Sequence, residues 1–220
     1  MGTKIVARVL VFFPVCMGLF FFLPAGSFRF WEAWVYSLAL LIPMITTLTY
    51  LVKNDPALLE RRLRYREKEE KQKIIVRLAR LPFLFGLFIP GFDYRYDWSQ
   101  VSLPIVVVAN CFVFLGYFLV FLVFRENTYT SRIVEVEKNQ QVITTGPYSI
   151  VRHPMYAGTI LMVLATPLAL GSWWALLVFI FWPIVLIFRI FNEEAVLHKD
   201  LPGYTEYCNK VHYRLIPYIW

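Results

Sequence analysis

Hydrophobic and polar positions in this chain come in long blocks, not in single alternating steps. Residues 5–23 form an apolar run with basic residues before it and the turn residues Pro24, Ala25, Gly26 and Ser27 after it. Its length suits a true span, and no small-residue cleavage site follows it, so it reads as a span and not a cleaved leader. Residues 31–52 form a second run, opened by Trp31 and Trp34 at the depth where indole rings favour a membrane interface. A weaker third run, 74–90, carries Pro82 and Pro90, and 91–99 reads as a short turn. A fourth run covers 101–124. The last two, 155–170 and 173–191, are separated only by Gly171 and Ser172, which predicts a tight helical hairpin. The expectation is an all-α, polytopic transmembrane protein with about six crossings and no transporter-like internal repeat. It divides into N-terminal spans (1–124) and a C-terminal region (125–220) of polar connection, helical hairpin and tail within one structural domain.

The polar segments modify this picture. Residues 53–73 are rich in both charges, and Asp55 before Pro56 reads as a helix start with Asn54 or Asp55 as cap. Leu58, Leu59, Leu63 and Tyr65 give that helix an apolar edge, so it is expected on the membrane surface with a solvated charged face and no catalytic part. Residues 125–148 form a polar connection with a β-like patch at 132–137. Lys and Arg crowd the 53–80 loop and are sparse near Arg29 and Arg95, which by the positive-inside rule makes that loop cytoplasmic. Six crossings then put both termini, the stretch 146–158 and the tail after Asn192 on the cytoplasmic side. The external turns suggest no second site.

Composition agrees: of 220 residues, 59% are hydrophobic and 18% aromatic, with a mean hydropathy of +0.57, where a soluble domain is nearer half apolar. The net charge of +7 is then a matter of topology and anionic lipid, and nucleic-acid binding is set aside. Cys16, Cys111 and Cys208 are scattered, with no CxxC or Cys/His cluster, so neither a metal nor a structural disulfide is expected.

Chemistry gathers at the two ends of the last hairpin. Before it stands Gly146-Pro147-Tyr148-Ser149-Ile150-Val151-Arg152-His153-Pro154-Met155-Tyr156-Ala157-Gly158. Pro154 suits the first helical position, which leaves the N–H groups of Met155, Tyr156 and Ala157 facing Arg152 and His153, an arrangement suited to an anion. After the hairpin, Arg189 and Glu193 are four apart on one helix face, with Glu194 beside them. A tight hairpin makes these ends neighbours, offering cations for a carboxylate and carboxylates for an ammonium. That is a receptacle for a zwitterion, weighed against a plain Arg189–Glu193 interfacial pair.

The motif G-x-Y-x-x-x-R-H-P-x-Y-x-G, followed by R-x-x-x-E-E-x-x-L at Arg189, Glu193, Glu194 and Leu197, resembles the isoprenylcysteine carboxyl methyltransferase and phospholipid methyltransferase family. So does the later pattern of Tyr204, Tyr207, Arg214 and Pro217. The resemblance runs from about Asn127 to Pro217. It implies an integral membrane enzyme with S-adenosylmethionine as cofactor and its active site on the cytoplasmic side. It also implies a lipidic or prenylated methyl acceptor, membrane lipids as surroundings, and no metal or nucleic acid. His153 and Tyr156 would line the methionine end and Glu193 would take the ammonium. Gln140, Gln141, Val142, Ile143 and Tyr148 would border the adenosine, and Arg152, Pro154, Met155 and Glu194 complete the implied cofactor set. Arg189, the implied catalytic residue, would hold the acceptor, with Tyr207 and Arg214 also on the substrate side. Leu201-Pro202-Gly203 replaces the usual F-G, residues 132–139 do not align, and the N-terminal half does not match. The acceptor is expected to be an isoprenylcysteine-like carboxylate. An amine N-methyltransferase, a steroid-reductase-like enzyme using NADPH and a non-enzymatic scaffold are the competing readings.

Overall fold

The computed structural model describes residues 2–63, 70–131 and 133–220. Among the described residues every regular element is helical. Tyr65 and Arg132 lie outside them, and residues 133–137 form no strand, so the expected β-like patch does not form among the residues described.

The first run is α1 (Gly2–Met17), continued through a π turn at Gly18–Phe22 into α2 (Leu23–Ala25), and Gly26 closes it at φ 62°. The second is α3 (Trp31–Asn54). The charged segment begins as α4 (Pro56–Leu63), with the Leu58 N–H donating 2.9 Å to Asp55 Oδ1, so of the two expected caps it is Asp55 that serves. Next come α5 (Glu70–Tyr96) and α6 (Leu103–Glu126). The hairpin is α7 (Pro154–Ala169), the Gly171-Ser172 turn and α8 (Trp173–Phe179), and after a break at Ile180-Phe181 the chain resumes as α9 (Trp182–Asp200). A short α10 (Tyr204–Lys210) precedes the tail. Among the described residues four helical runs are long and apolar enough to cross a membrane: Ile5–Ala25, Trp31–Asn54, Leu103–Glu126 and Trp173–Asp200. Pro154–Ala169 is a shorter apolar helix.

Two expectations change here. Helix α5 does not stop at Pro90 but continues to Tyr96, so Asp93 is helical and buried, not in a turn. It accepts the Ser99 N–H and hydroxyl, each at 2.7 Å, and the Ser172 hydroxyl. A carboxylate this deep needs such partners, and it ties α5 to the hairpin turn. The second change concerns α4. Its Leu58 and Leu59 are buried against Leu48, Leu51 and Phe124, and its arginines point inward to the 127–137 segment. It is a packed element, not a solvated surface helix.

Among the described residues, α6 and α7 approach backbone to backbone. A Cβ on Gly116 would lie 2.6 Å from the Gly158 carbonyl oxygen, and one on Gly158 would lie 2.6 Å from that of Gly116. The two backbones touch, as small residues allow between apolar helices that gain little from hydrophobic burial in lipid. This crossing sets where the N-terminus of α7 stands relative to the end of α6. The polar features consequently sort to two ends. At one end are Glu32, Asp93, Ser99 and the Gly171-Ser172 turn. At the other are α4, residues 127–153, the end of α9, α10 and the tail.

Candidate active site

The turn before α7 is held by its own backbone. Gly146 takes φ 56°, with Glu126 packed where a side chain would go, and Gly146–Ser149 form a 3-10 turn. The Arg152 N–H donates 2.9 Å to the Tyr213 carbonyl and the His153 N–H 2.9 Å to that of Arg214, which docks the tail along the motif. Pro154 takes the first helical position, as its missing N–H predicts. The N–H groups of Tyr156 and Ala157, however, both donate to the His153 carbonyl at 3.1 Å. The expected anion site on free helix-terminal N–H groups is therefore not what this motif builds.

What it builds instead is a cluster of charges between the hairpin ends. Glu194, at 6% side-chain exposure, meets three partners. His153 Nε2 lies 3.2 Å from its Oε1, Arg214 Nε donates 2.8 Å to its Oε2, and Arg152 Nε stands 3.3 Å from Oε1 in ion-pair range without hydrogen-bond geometry. A carboxylate buried to this extent is tolerable only with such compensation. Glu194 lies behind the cavity wall and does not line it, and Arg214 lies behind it too, over the rings of Phe191 and Trp220. These two were expected on the ligand side, and the structure puts them in the frame that holds Arg152 and His153.

Glu193 points the other way. The Tyr156 hydroxyl donates to Glu193 Oε2 and accepts from Arg189 Nε at 2.9 Å. Tyr156 thus bridges the carboxylate and the guanidinium, and its ring stacks on His153 at 5.7 Å between centroids. Gln140, Gln141, Val142, Ile143, Tyr148, Arg152, His153, Pro154, Met155, Tyr156, Arg189, Glu193 and Tyr207 all line one cavity. The motif residues, more than 50 positions apart at their extremes, are brought together by the hairpin and by α10. Tyr207, expected on the acceptor side, lies among the residues expected at the adenosine, donating 2.7 Å to the Tyr148 carbonyl.

Burial pushes the Tyr148 phenol up to about 12, against the pull of its bond from the Asn127 amide, and raises those of Tyr204 and Tyr207 further. All three stay protonated at neutral pH and act as hydrogen-bonding groups, not bases. The Tyr204 hydroxyl is buried at the cavity wall with no partner, a polar group with capacity for a ligand.

A second cavity, of about 1030 Å³, lies among the spans and is lined mostly by apolar groups such as Leu48, Leu51, Phe83, Val120, Phe124 and Leu186. Ser131, Ile133, Met155, Tyr156 and Arg189 line both cavities, so the two adjoin at these residues. Sequence reasoning missed Asn127, Thr130 and Ser131 on the wall of the first cavity, and Arg61 and Arg62 beside it. Arg61 donates 2.9 Å to the Thr128 carbonyl and Arg62 3.0 Å to that of Ser131. Inside a run of mixed charge nothing marks either arginine as inward-facing.

Residues 104–202 match the phospholipid methyltransferase family model. That segment, a little under half of the chain, is similar to the family. It contains both hairpin-end motifs, so the family read from them is the one the match returns. Among curated proteins the chain is 27% identical over 157 residues to the delta(14)-sterol reductase TM7SF2 of Mus musculus, covering 65% of this chain and 37% of that protein. It is 28% identical over 154 residues to the delta(14)-sterol reductase of Arabidopsis thaliana, covering 64% and 40%. The chain therefore spans about two fifths of the length of these relatives. A solved structure of the eukaryotic intramembrane Ras methyltransferase, an isoprenylcysteine carboxyl methyltransferase, superposes with a TM-score of 0.46 at 17% identity, covering 97% of this chain and 86% of that one.

Proposed function

We propose that this protein is an integral membrane methyltransferase that uses S-adenosylmethionine to methylate a lipidic acceptor, with its site on the cytoplasmic side. The observation that carries the reading is the adjoining pair of cavities. One is polar and lined by the motif residues, the other is apolar and among the spans, and Tyr156 and Arg189 stand at the junction.

The residues fit the cofactor. The Glu193 carboxylate faces the polar cavity as a partner for an ammonium, and the Arg152 side of the wall suits a carboxylate. Val142, Ile143, Leu197 and Leu201 give an apolar surface for a purine, with the unpartnered Tyr204 hydroxyl beside it. When bound, S-adenosylmethionine supplies an electrophilic methyl on a good leaving group, so the protein's task is alignment in a dry site more than acid–base chemistry. Tyr156 does part of this by fixing Arg189 and Glu193 relative to each other. Glu194 serves indirectly, holding His153 and Arg152 in place. Arg189, at the junction, is placed to hold an anionic acceptor oxygen, and a carboxylate needs no base there. This favours an isoprenylcysteine-like carboxylate over an amine, since the cavity phenols are held protonated.

The sterol reductase relatives favour a second reading, in which the same cavity takes a nicotinamide cofactor and the apolar cavity a sterol-like substrate. One experiment separates the two. Thermal unfolding of the detergent-purified protein with S-adenosylhomocysteine or with NADPH should show stabilisation by the first only. Stabilisation by NADPH alone would replace the methyltransferase reading with the reductase one.

A further inference from the structure

Cys16 and Cys111 lie within the apolar runs Ile5–Ala25 and Leu103–Glu126, and Cys208 does not. It is half-buried on α10, with its sulfur 3.9 Å from His198 Nε2. His198 is exposed, and its other nitrogen, Nδ1, lies 3.1 Å from the Thr205 hydroxyl. Its ring meets that of Tyr204 edge-on at 4.9 Å, so the imidazole is held on two sides. The Arg152 guanidinium lies within hydrogen-bonding reach of the same sulfur. Tyr204 stands one turn before Cys208 on the same face of α10. Its hydroxyl, on a residue 4% exposed, has no partner and feels the charges of both Cys208 and Arg152. A thiol, an imidazole, a guanidinium and an unpartnered phenol therefore converge. Arg152 and Tyr204 line the polar cavity, as do Val142 and Leu197, which pack with Cys208. The sulfur thus backs the cavity wall from outside.

A partly exposed thiol beside a cation and an imidazole is in the setting of reactive cysteines, whereas one among apolar groups is inert. With Nδ1 donating to Thr205, Nε2 keeps the lone pair that can take the thiol proton. We propose that Cys208 is a modification site that exchanges with a small hydrophilic disulfide of the glutathione class, with His198 as base, and that the adduct disrupts the wall at Arg152 and Tyr204. His198 takes the Cys208 proton and the thiolate attacks one sulfur of the disulfide. A bond forms between Cys208 Sγ and that sulfur, and the bond between the two glutathione sulfurs breaks. The departing thiolate takes the proton from His198. Cys208 is oxidised and the incoming disulfide reduced, with no further reactant. Arg152 and the Tyr204 hydroxyl offer donors to the peptide's carboxylates. The attached peptide then competes for groups assigned above to the cofactor. The reactive site stands apart from the methyltransferase reading, and only its effect on cofactor binding rests on it.

The test follows the thiol itself. Detergent-purified protein is incubated with oxidised glutathione, and the adduct is mapped and timed by peptide mass spectrometry. Cys208 should react at least about tenfold faster than the same cysteine in a synthetic peptide of residues 204–210. His198→Gln, a change at an exposed side chain, should slow the reaction at least about fivefold at about pH 7. The difference should vanish near pH ~10, where a free thiol has already lost its proton. Tyr204 and Tyr207, which also face the sulfur, stay protonated at both. Peptide-like reactivity overturns the proposal, as does a His198→Gln rate equal to the wild type at neutral pH. A slowing that persists at high pH also overturns it, because His198 would then be only structural. The adduct should remove most of the midpoint rise given by S-adenosylhomocysteine, and dithiothreitol should restore it. Cys208→Ser should keep the rise with and without oxidised glutathione. If that variant fails to fold, recovery of the wild type on reduction decides. A full rise in the adduct overturns the proposed effect on the wall. A His198-dependent reaction in a protein that S-adenosylhomocysteine never stabilises keeps the modification site and removes the methyltransferase reading.

Discussion

Replacing Gly158 by Ala asks whether the last glycine of the motif serves helix packing or a ligand. The added Cβ would lie 2.6 Å from the Gly116 carbonyl oxygen and 3.2 Å from a Val120 methyl. Carbon and carbonyl oxygen rest at about 3.3–3.6 Å, so α6 and α7 have to separate by roughly 0.7 Å or more. The obstructing atom is backbone and cannot rotate aside. Overpacking of this kind costs about 1–3 kcal/mol, offset by about 0.5–1 kcal/mol from replacing a helical glycine. A net loss near 1–2 kcal/mol corresponds to a midpoint lower by about 2–8 °C for a chain of this size. Gly18→Ala is the control, because a Cβ there meets nothing within 4 Å. Gly116→Ala presses on the same crossing from the other side, so the double variant should lose less than the two single losses combined. Thermal unfolding in one detergent, with and without S-adenosylhomocysteine, measures all four. A Gly158→Ala protein as stable as Gly18→Ala would refute the packing argument. An unchanged midpoint together with a lost cofactor response would make Gly158 a ligand contact instead.

Three further outcomes are expected. Glu193→Gln should weaken S-adenosylhomocysteine binding by about 1.5–3 kcal/mol, the worth of a charge-assisted hydrogen bond, with little change in unfolding; calorimetry showing full affinity removes Glu193 from the cofactor site. Glu194→Gln should instead lower stability by about 3–5 kcal/mol, because it strands Arg152 and Arg214 without their carboxylate, and equal midpoints for the two variants would contradict the division of roles. Arg189→Lys keeps the charge but loses the fork, so turnover should fall while cofactor affinity survives, and loss of cofactor binding with normal acceptor binding would move Arg189 into the cofactor site. For topology, single cysteines near Gly26 and Trp98 should label from outside and one at Asn209 should not; outside labelling at Asn209 rules out the expected orientation.

The apolar blocks alone determined that this chain is helical and built for a membrane, because a span must be long, apolar and internally hydrogen-bonded to lie in lipid. Local chemistry also sufficed for the helix start at Asn54 or Asp55, for Pro154 at the head of α7 and for the Gly171-Ser172 turn. The motif residues were legible as a group because a two-residue turn brings both hairpin ends together. What pattern alone did not contain was direction. Glu193 and Glu194 are adjacent and chemically identical, yet successive residues on a helix point about 100° apart. One therefore faces the cavity through Tyr156 and the other turns back to His153, Arg152 and Arg214. Asp93 read as a turn residue until its distant partner Ser172 was in place. Arg62 read as one more solvated charge until Leu58 and Leu59 fixed which side of α4 faces inward. In each case the deciding contact is far away in the chain, so only the tertiary structure could choose which face of the helix met it.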